Sequence, residues 1–100
     1  MNLAALFAPR SIALIGASSK NGSVGNDVLK NLQSCGFAGK IFPVNPKVKE
    51  LYGLAVFSDI SELREAVDLL ILAIPAEKIP AVLRQAGRLQ VKAAIVLSAG

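Results

Sequence analysis

Ser11-Ile-Ala-Leu-Ile-Gly16, continued by Ala17-Ser-Ser-Lys-Asn-Gly-Ser-Val-Gly25, decides the fold. Its first six residues are a nearly continuous apolar run closed by glycine. Such a run suits a strand buried on both faces, as in a parallel sheet. The Gly/Ser segment behind it reads as a polar loop. From about residue 25 to 35 a helix is expected, because apolar side chains recur at Val24, Val28, Leu32 and Cys35. Gly36 is placed to end that helix in the left-handed conformation. Cys35, on the apolar face, is expected in the core.

Outward from this unit, residues 40–44 read as a second short strand, with Pro43 suggesting an irregular end. Asn45-Pro46 starts a turn. Residues 47–52 are expected to make one helical turn before Gly53, and residues 54–57 a short strand. Ser58 or Asp59 can cap a short helix, with Glu62 three residues after Asp59. Residues 68–74 form the strongest strand, ended by Pro75. A helix follows over residues 77–89, with Pro80 near its first turn, where amide donors lack intrahelical partners. Residues 93–97 are the last strand, and residues 3–7 a short helix stopped by Pro9. Strands alternating with helices predict the α/β class: a Rossmann-like parallel sheet with flanking helices and right-handed crossovers, one domain over residues 1–100. The chain stops directly after a strand, so the expectation is a domain truncated at its C-terminus, a fragment of a longer multidomain protein.

Composition narrows the chemistry. At 100 residues, 53% hydrophobic and 18% charged, the chain has enough apolar material for one small core. A net charge of +4 favours anionic partners. The 11 Lys and Arg form no run and are not interleaved with aromatics, which argues against nucleic acid. The absence of histidine removes His-based metal sites, Ser-His triads and phosphohistidine chemistry from this chain. One cysteine excludes an internal disulfide and fits a reducing compartment. No stretch approaches the ~18 apolar residues of a membrane span, and the N-terminus makes a poor signal peptide. The expected location is cytoplasmic, with no membrane partner.

In open α/β sheets, ligands bind beyond the carboxyl ends of the strands. Four such ends are expected on one edge: Gly16-Ala-Ser-Ser19 with Asn21-Gly-Ser-Val-Gly25, then Val44-Asn-Pro-Lys47, then Ile74-Pro-Ala76, then Ser98-Ala-Gly100. Gly16 permits a close backbone approach, Ser18, Ser19 and Ser23 carry hydroxyls, and the first helical amides present the positive end of the dipole. That combination suits a phosphate, although a plain polar connection would use the same residues. The second end carries Asn45-Pro46-Lys47 where an NAD site wants an acid for the ribose hydroxyls. The missing acid and the nearby lysine favour a nucleotide with an extra ribose phosphate, NADP or coenzyme A (CoA). Lys47 equally suits a solvated surface, as does Lys20. Ile74-Pro75-Ala76 reads as an apolar wall for a ligand or simply as a strand terminator. Arg10, at the opposite edge, is structural.

These segments, taken in order, resemble a known family. Phe7-Ala-Pro-Arg-Ser-Ile-Ala-Leu-Ile-Gly-Ala-Ser-Ser19, Gly22-Ser-Val-Gly25, Asn31-Leu32, Gly36-Phe37, Ile41-Phe-Pro-Val-Asn-Pro-Lys47, Gly53, Asp68-Leu69, Ile74-Pro75 and Ser98-Ala-Gly100 look like the N-terminal CoA-binding domain of ADP-forming acyl-CoA synthetases. That domain is similar to the start of the succinyl-CoA synthetase α subunit. The resemblance covers essentially the whole chain.

It implies that Gly16, Ser18, Ser19, Ser23 and Val24 surround the phosphates of CoA. It implies that Val44, Asn45, Pro46 and Lys47 face the phosphoadenosine part, with Lys47 on a phosphate. Ile74, Pro75 and Ala76 would line the pantetheine path, and Ser98, Ala99 and Gly100 would lie near the reacting end. The catalytic His of the family would fall in a later domain, as would the ATP-grasp part with ATP/ADP and Mg. The chain is therefore expected to bind CoA (or acyl-CoA) without turnover, with no catalytic residue and no metal site of its own. Its parent would be an acid-thiol ligase of the acetate-CoA type. Its partners would be the remaining domains or a subunit of that parent, oligomer formation being left open. A protein lysine acetyltransferase begins with the same kind of domain, and small stand-alone CoA- or nucleotide-binding proteins exist, so both stay open beside the ligase. An NADP-dependent oxidoreductase half is a further alternative.

Overall fold

The computed structural model describes residues 8–97. The short helix expected at residues 3–7 lies outside them, as do Ser98, Ala99 and Gly100. Four strands, β1 (Ser11–Ile15), β2 (Lys40–Val44), β5 (Leu69–Leu72) and β6 (Ala93–Val96), form one sheet in the order β2-β1-β5-β6. All of its pairings are parallel. Ile15 is level with Val44 and with Leu72, and Leu72 with Val96. The carboxyl ends of all four strands therefore share one edge. β1 and β5 are buried residue by residue, as their apolar runs require.

Helix α1 (Val24–Ser34) carries the chain from β1 to β2, and α2 (Ile79–Ala86) carries it from β5 to β6. Ile12, Leu14, Leu29, Leu69 and Ile71 build a core on the α1 face of the sheet. Ala13, Ile15, Leu70, Leu72 and Ala86 build the core on the α2 face. The fold is the expected Rossmann-like parallel sheet with flanking helices.

Four local expectations are corrected. Residues 47–52 are not a helical turn: β3 (Glu50–Leu51) and β4 (Leu54–Ala55) make an antiparallel hairpin across Tyr52-Gly53. Leu51 is buried in the α1-side core and Leu54 packs against it. The core thus selects an extended backbone here over local helical preference. The helix expected over residues 77–89 is an α-helix of eight residues flanked by 3-10 turns, Ala76–Lys78 before it and Gly87–Leu89 after it.

Pro43 does not make β2 irregular. It sits fully buried within the strand. Its missing N–H falls on the outer side, away from β1, where its carbonyl accepts from Phe57 N–H at 2.9 Å. Cys35 is exposed rather than core, because it is the C-cap residue beyond the last helical turn. Val28 and Leu32 do pack against the α1-side core, beside the buried Gly25, Asn26 and Leu29. Gly36 has φ +77° behind α1, and Asp59 caps a 3-10 turn at Ile60–Glu62.

Candidate functional site at the carboxyl edge of the sheet

The site begins where β1 stops. Gly16 turns with φ +93°, and a side chain there would run into the Ala73 carbonyl at the end of β5. Glycine is required on both counts. A Cβ on Gly25 would overlap the Gly16 carbonyl oxygen, so the first turn of α1 rests directly on the loop backbone. Ser23 is the N-cap of α1: its hydroxyl oxygen accepts from Asn26 N–H at 3.2 Å and its O–H donates to the Lys20 carbonyl at 2.8 Å. The Ser18 hydroxyl oxygen accepts from Lys20 N–H at 2.9 Å, which curls the loop back on itself. Ser19 and Lys20 are exposed beyond it.

Between loop and helix lies an open cleft of about 440 Å³. Gly16, Lys20, Asn21, Gly22, Ser23, Val24, Gly25 and Ala73 line it. Its floor is glycine backbone and the first turn of a helix, which favours an anion. Of the residues expected at the phosphates, Gly16, Ser23 and Val24 line this cleft. Asn21, Gly22, Gly25 and Ala73 line it too and were not assigned to the site from the sequence. The spacing of Gly22 and Gly25 was the available signal. Ala73 had none, since it comes from the neighbouring strand.

The second expected segment stands beside the first but is engaged with the protein. The Val44 carbonyl accepts from both Gly16 N–H (3.0 Å) and Ala17 N–H (3.3 Å), while its side chain is buried. Asn45 donates Nδ2 to the Ala17 carbonyl at 2.7 Å and accepts Lys47 N–H on Oδ1 at 2.7 Å. Asn45 therefore splices the end of β2 to the β1 loop and shapes the Pro46-Lys47 turn, which is exposed. At the end of β5, Ile74 is half-buried against the α2-side core, while Pro75 and Ala76 are exposed.

The electrostatics of the two sheet edges differ. Among the described residues both ion pairs, Lys40–Glu65 and Lys92–Asp68, lie at the amino edge. Arg10 N–H donates to Asp68 Oδ2 at 2.8 Å, and Lys92 Nζ is 3.4 Å from Oδ1. The Arg10 backbone bond first, and Lys92 second, hold the Asp68 carboxyl below the usual carboxylate range. At the carboxyl edge Lys20 and Lys47 form no ion pair among the described residues. No helix among these residues is long and apolar enough to cross a membrane.

Comparisons with known proteins agree with this geometry. A family described as "CoA binding domain" matches residues 10–100. The chain is 41% identical over 95 residues to an ADP-forming acetate–CoA ligase I of Archaeoglobus fulgidus, covering 95% of this chain and 14% of that protein. It is 39% identical over 104 residues to the α subunit of an ADP-forming acetate–CoA ligase I of Pyrococcus furiosus, covering 100% of this chain and 22% of the subunit. Among solved structures it resembles a "dinucleotide forming Acetyl-coenzyme A synthetase 1" of Ca. Korarchaeum cryptofilum in complex with phosphate and ADP. That match has a TM-score of 0.92 and 37% identity, covering 99% of this chain and 21% of that one. The chain thus spans roughly a seventh to a fifth of the length of these relatives. With the Gly16 turn, the capped α1 and the parallel sheet in place, the chain belongs to the CoA-binding domain family.

Proposed function

We propose that this chain is the CoA-binding domain of an ADP-forming acyl-CoA synthetase and holds CoA along the carboxyl edge of its sheet. The observation that carries the reading is the open cleft between Gly16 and the capped first turn of α1. It offers backbone amides and a hydroxyl-capped helix start to a diphosphate, with Lys20 at its rim. Gly16, Ser18, Ser19, Ser23 and Val24 surround the phosphates in this reading. Val44, Asn45 and Pro46 form the shelf for the phosphoadenosine part, and Lys47 meets its 3′-phosphate. Ile74, Pro75 and Ala76 border the pantetheine arm, with Ser98, Ala99 and Gly100 toward the thiol.

The domain, residues 1–100, is one part of a longer cytoplasmic protein, in line with the length of its relatives. Thioester formation, ATP/ADP, Mg and the phosphorylated histidine belong to the remaining domains or a partner subunit. This chain has no histidine and contributes binding without turnover. The acetyltransferase and oxidoreductase readings have no relative among the proteins described above in their support.

Calorimetric titration of the chain with CoA, dephospho-CoA and NADPH tests this. The expected order is CoA tightest, dephospho-CoA weaker, NADPH without measurable heat. If neither this chain nor a longer protein containing it binds CoA, the reading is wrong.

A further inference from the structure

Tyr52 stands at odds with its local backbone. Tyr52 and Gly53 are the two turn residues of the β3–β4 hairpin, with φ +49° and +81°. Two-residue turns with both φ positive favour Asn-Gly or Gly-Gly, because a side chain in the left-handed region is strained. An aromatic residue is a poor occupant of the first position. Burial does not explain its presence, since Tyr52 is 45% exposed. Residues that break a local rule concentrate where another constraint holds them.

That constraint is α1. The Tyr52 O–H donates to Asn26 Oδ1 at 2.5 Å, and Gln33 Nε2 donates to the Tyr52 carbonyl at 3.1 Å. Asn26 and Gln33 lie two turns apart on one side of the helix, so the hairpin is stitched to it at two points. Asn26 is a polar side chain only 3% exposed, in the first turn of α1, and its own N–H is held by Ser23. With Oδ1 taken by the tyrosine, its remaining group is the Nδ2 donor. Nδ2 has no acceptor among the described residues. Asn26 is not itself among the residues lining the cleft, but it directly follows Gly25, which is.

We propose that Tyr52 is a positioning residue for the ligand. By holding Oδ1 it fixes the flip of the Asn26 amide. It thereby presents Nδ2 as an oriented donor for a phosphate or hydroxyl oxygen of CoA, one turn along α1 from Ser23. The hairpin is then part of the binding machinery rather than a connector. This inference rests on the CoA reading above.

Tyr52→Phe removes the hydroxyl and keeps the ring. Tyr52→Asn removes the contact while supplying a residue better suited to the turn. Each variant is titrated with CoA and unfolded thermally beside the wild type. CoA binding is expected to weaken by about fivefold in both variants, the scale of one hydrogen bond. Tyr52→Asn is expected to unfold at or above the wild-type temperature, so affinity and stability move in opposite directions. Wild-type affinity in both variants, or affinity that simply follows thermal stability, overturns the proposal. If neither the wild-type chain nor a longer protein containing it binds CoA, the CoA reading fails separately. Hydrogen exchange at the Asn26 and Asp27 amides then decides the role of Tyr52. Faster exchange in Tyr52→Phe supports it as the group that orders the turn, and unchanged exchange overturns it.

Discussion

The two edges of the sheet use their polar groups in opposite ways. At the amino edge they satisfy one another. Asp68 takes Arg10 N–H and pairs with Lys92, and Ser11 O–H donates to the Ala66 carbonyl while its oxygen accepts Asp68 N–H. Lys40 pairs with Glu65. At the carboxyl edge, polar groups build a frame and leave an opening: Asn45 and Ser23 bind backbone, while the glycine-floored cleft stays clear. Both edges terminate the same strands, so the difference lies in the connections. The amino edge closes the fold, and the carboxyl edge keeps an open cleft, the one we propose for CoA.

The largest effect should come from filling the frame. Gly25→Ala puts a methyl group into the Gly16 carbonyl. The helix must retreat, so stability is expected to fall by about 3 kcal/mol in urea unfolding, the upper range for overpacking. CoA binding should be lost in protein that remains folded. A well-folded variant with normal affinity would show that the close approach of α1 to the loop is not what shapes the cleft.

Next in size is Lys47→Ala. It should weaken CoA by about tenfold, as for a charge-assisted contact, and leave dephospho-CoA unchanged. Equal losses for both ligands would move Lys47 off the 3′-phosphate.

Asp68→Asn probes the other edge. Because the Asp68 pKa is lowered on folding, its contribution to stability is present above the unfolded value of about 4 and is lost as pH falls below it. The wild type should lose stability more steeply than the variant as pH is lowered through that window. At pH 7 the variant should unfold at a lower temperature yet bind CoA normally. A shared loss of affinity would erase the contrast between edges.

The smallest effect is expected at Cys35, beyond the end of α1 and outside the amino-edge web. Cys35→Ser should change stability by less than about 0.5 kcal/mol, as for ordinary surface positions. The wild-type thiol should react with an aqueous thiol reagent in the folded protein. A protected thiol would return Cys35 to the core.

The parallel sheet was legible because β1 and β5 are short apolar runs, a pattern that suits strands buried on both faces. The turn after β1 was legible for a related reason: Gly16 and Ser23 occupy positions that backbone geometry restricts. The hairpin was not, since Tyr52-Gly53 lacks the usual turn signal and Leu51 is drawn into the core by tertiary contacts. Asn26 and Tyr52 escaped notice because their meaning is mutual. Neither is unusual until the hairpin lies against α1. Cys35 misled because helical spacing does not announce where a helix ends. Asn45 was picked for a ligand role, and its side chain proves to join two loops first.

The most direct test of the contrast is a map of backbone amide shifts on titration with CoA. Changes should cluster at residues 16–26, 44–47 and 73–76, with residues 10–11, 64–68 and 88–92 unmoved. Shifts concentrated at the amino edge, or no shifts at saturating CoA, would contradict it.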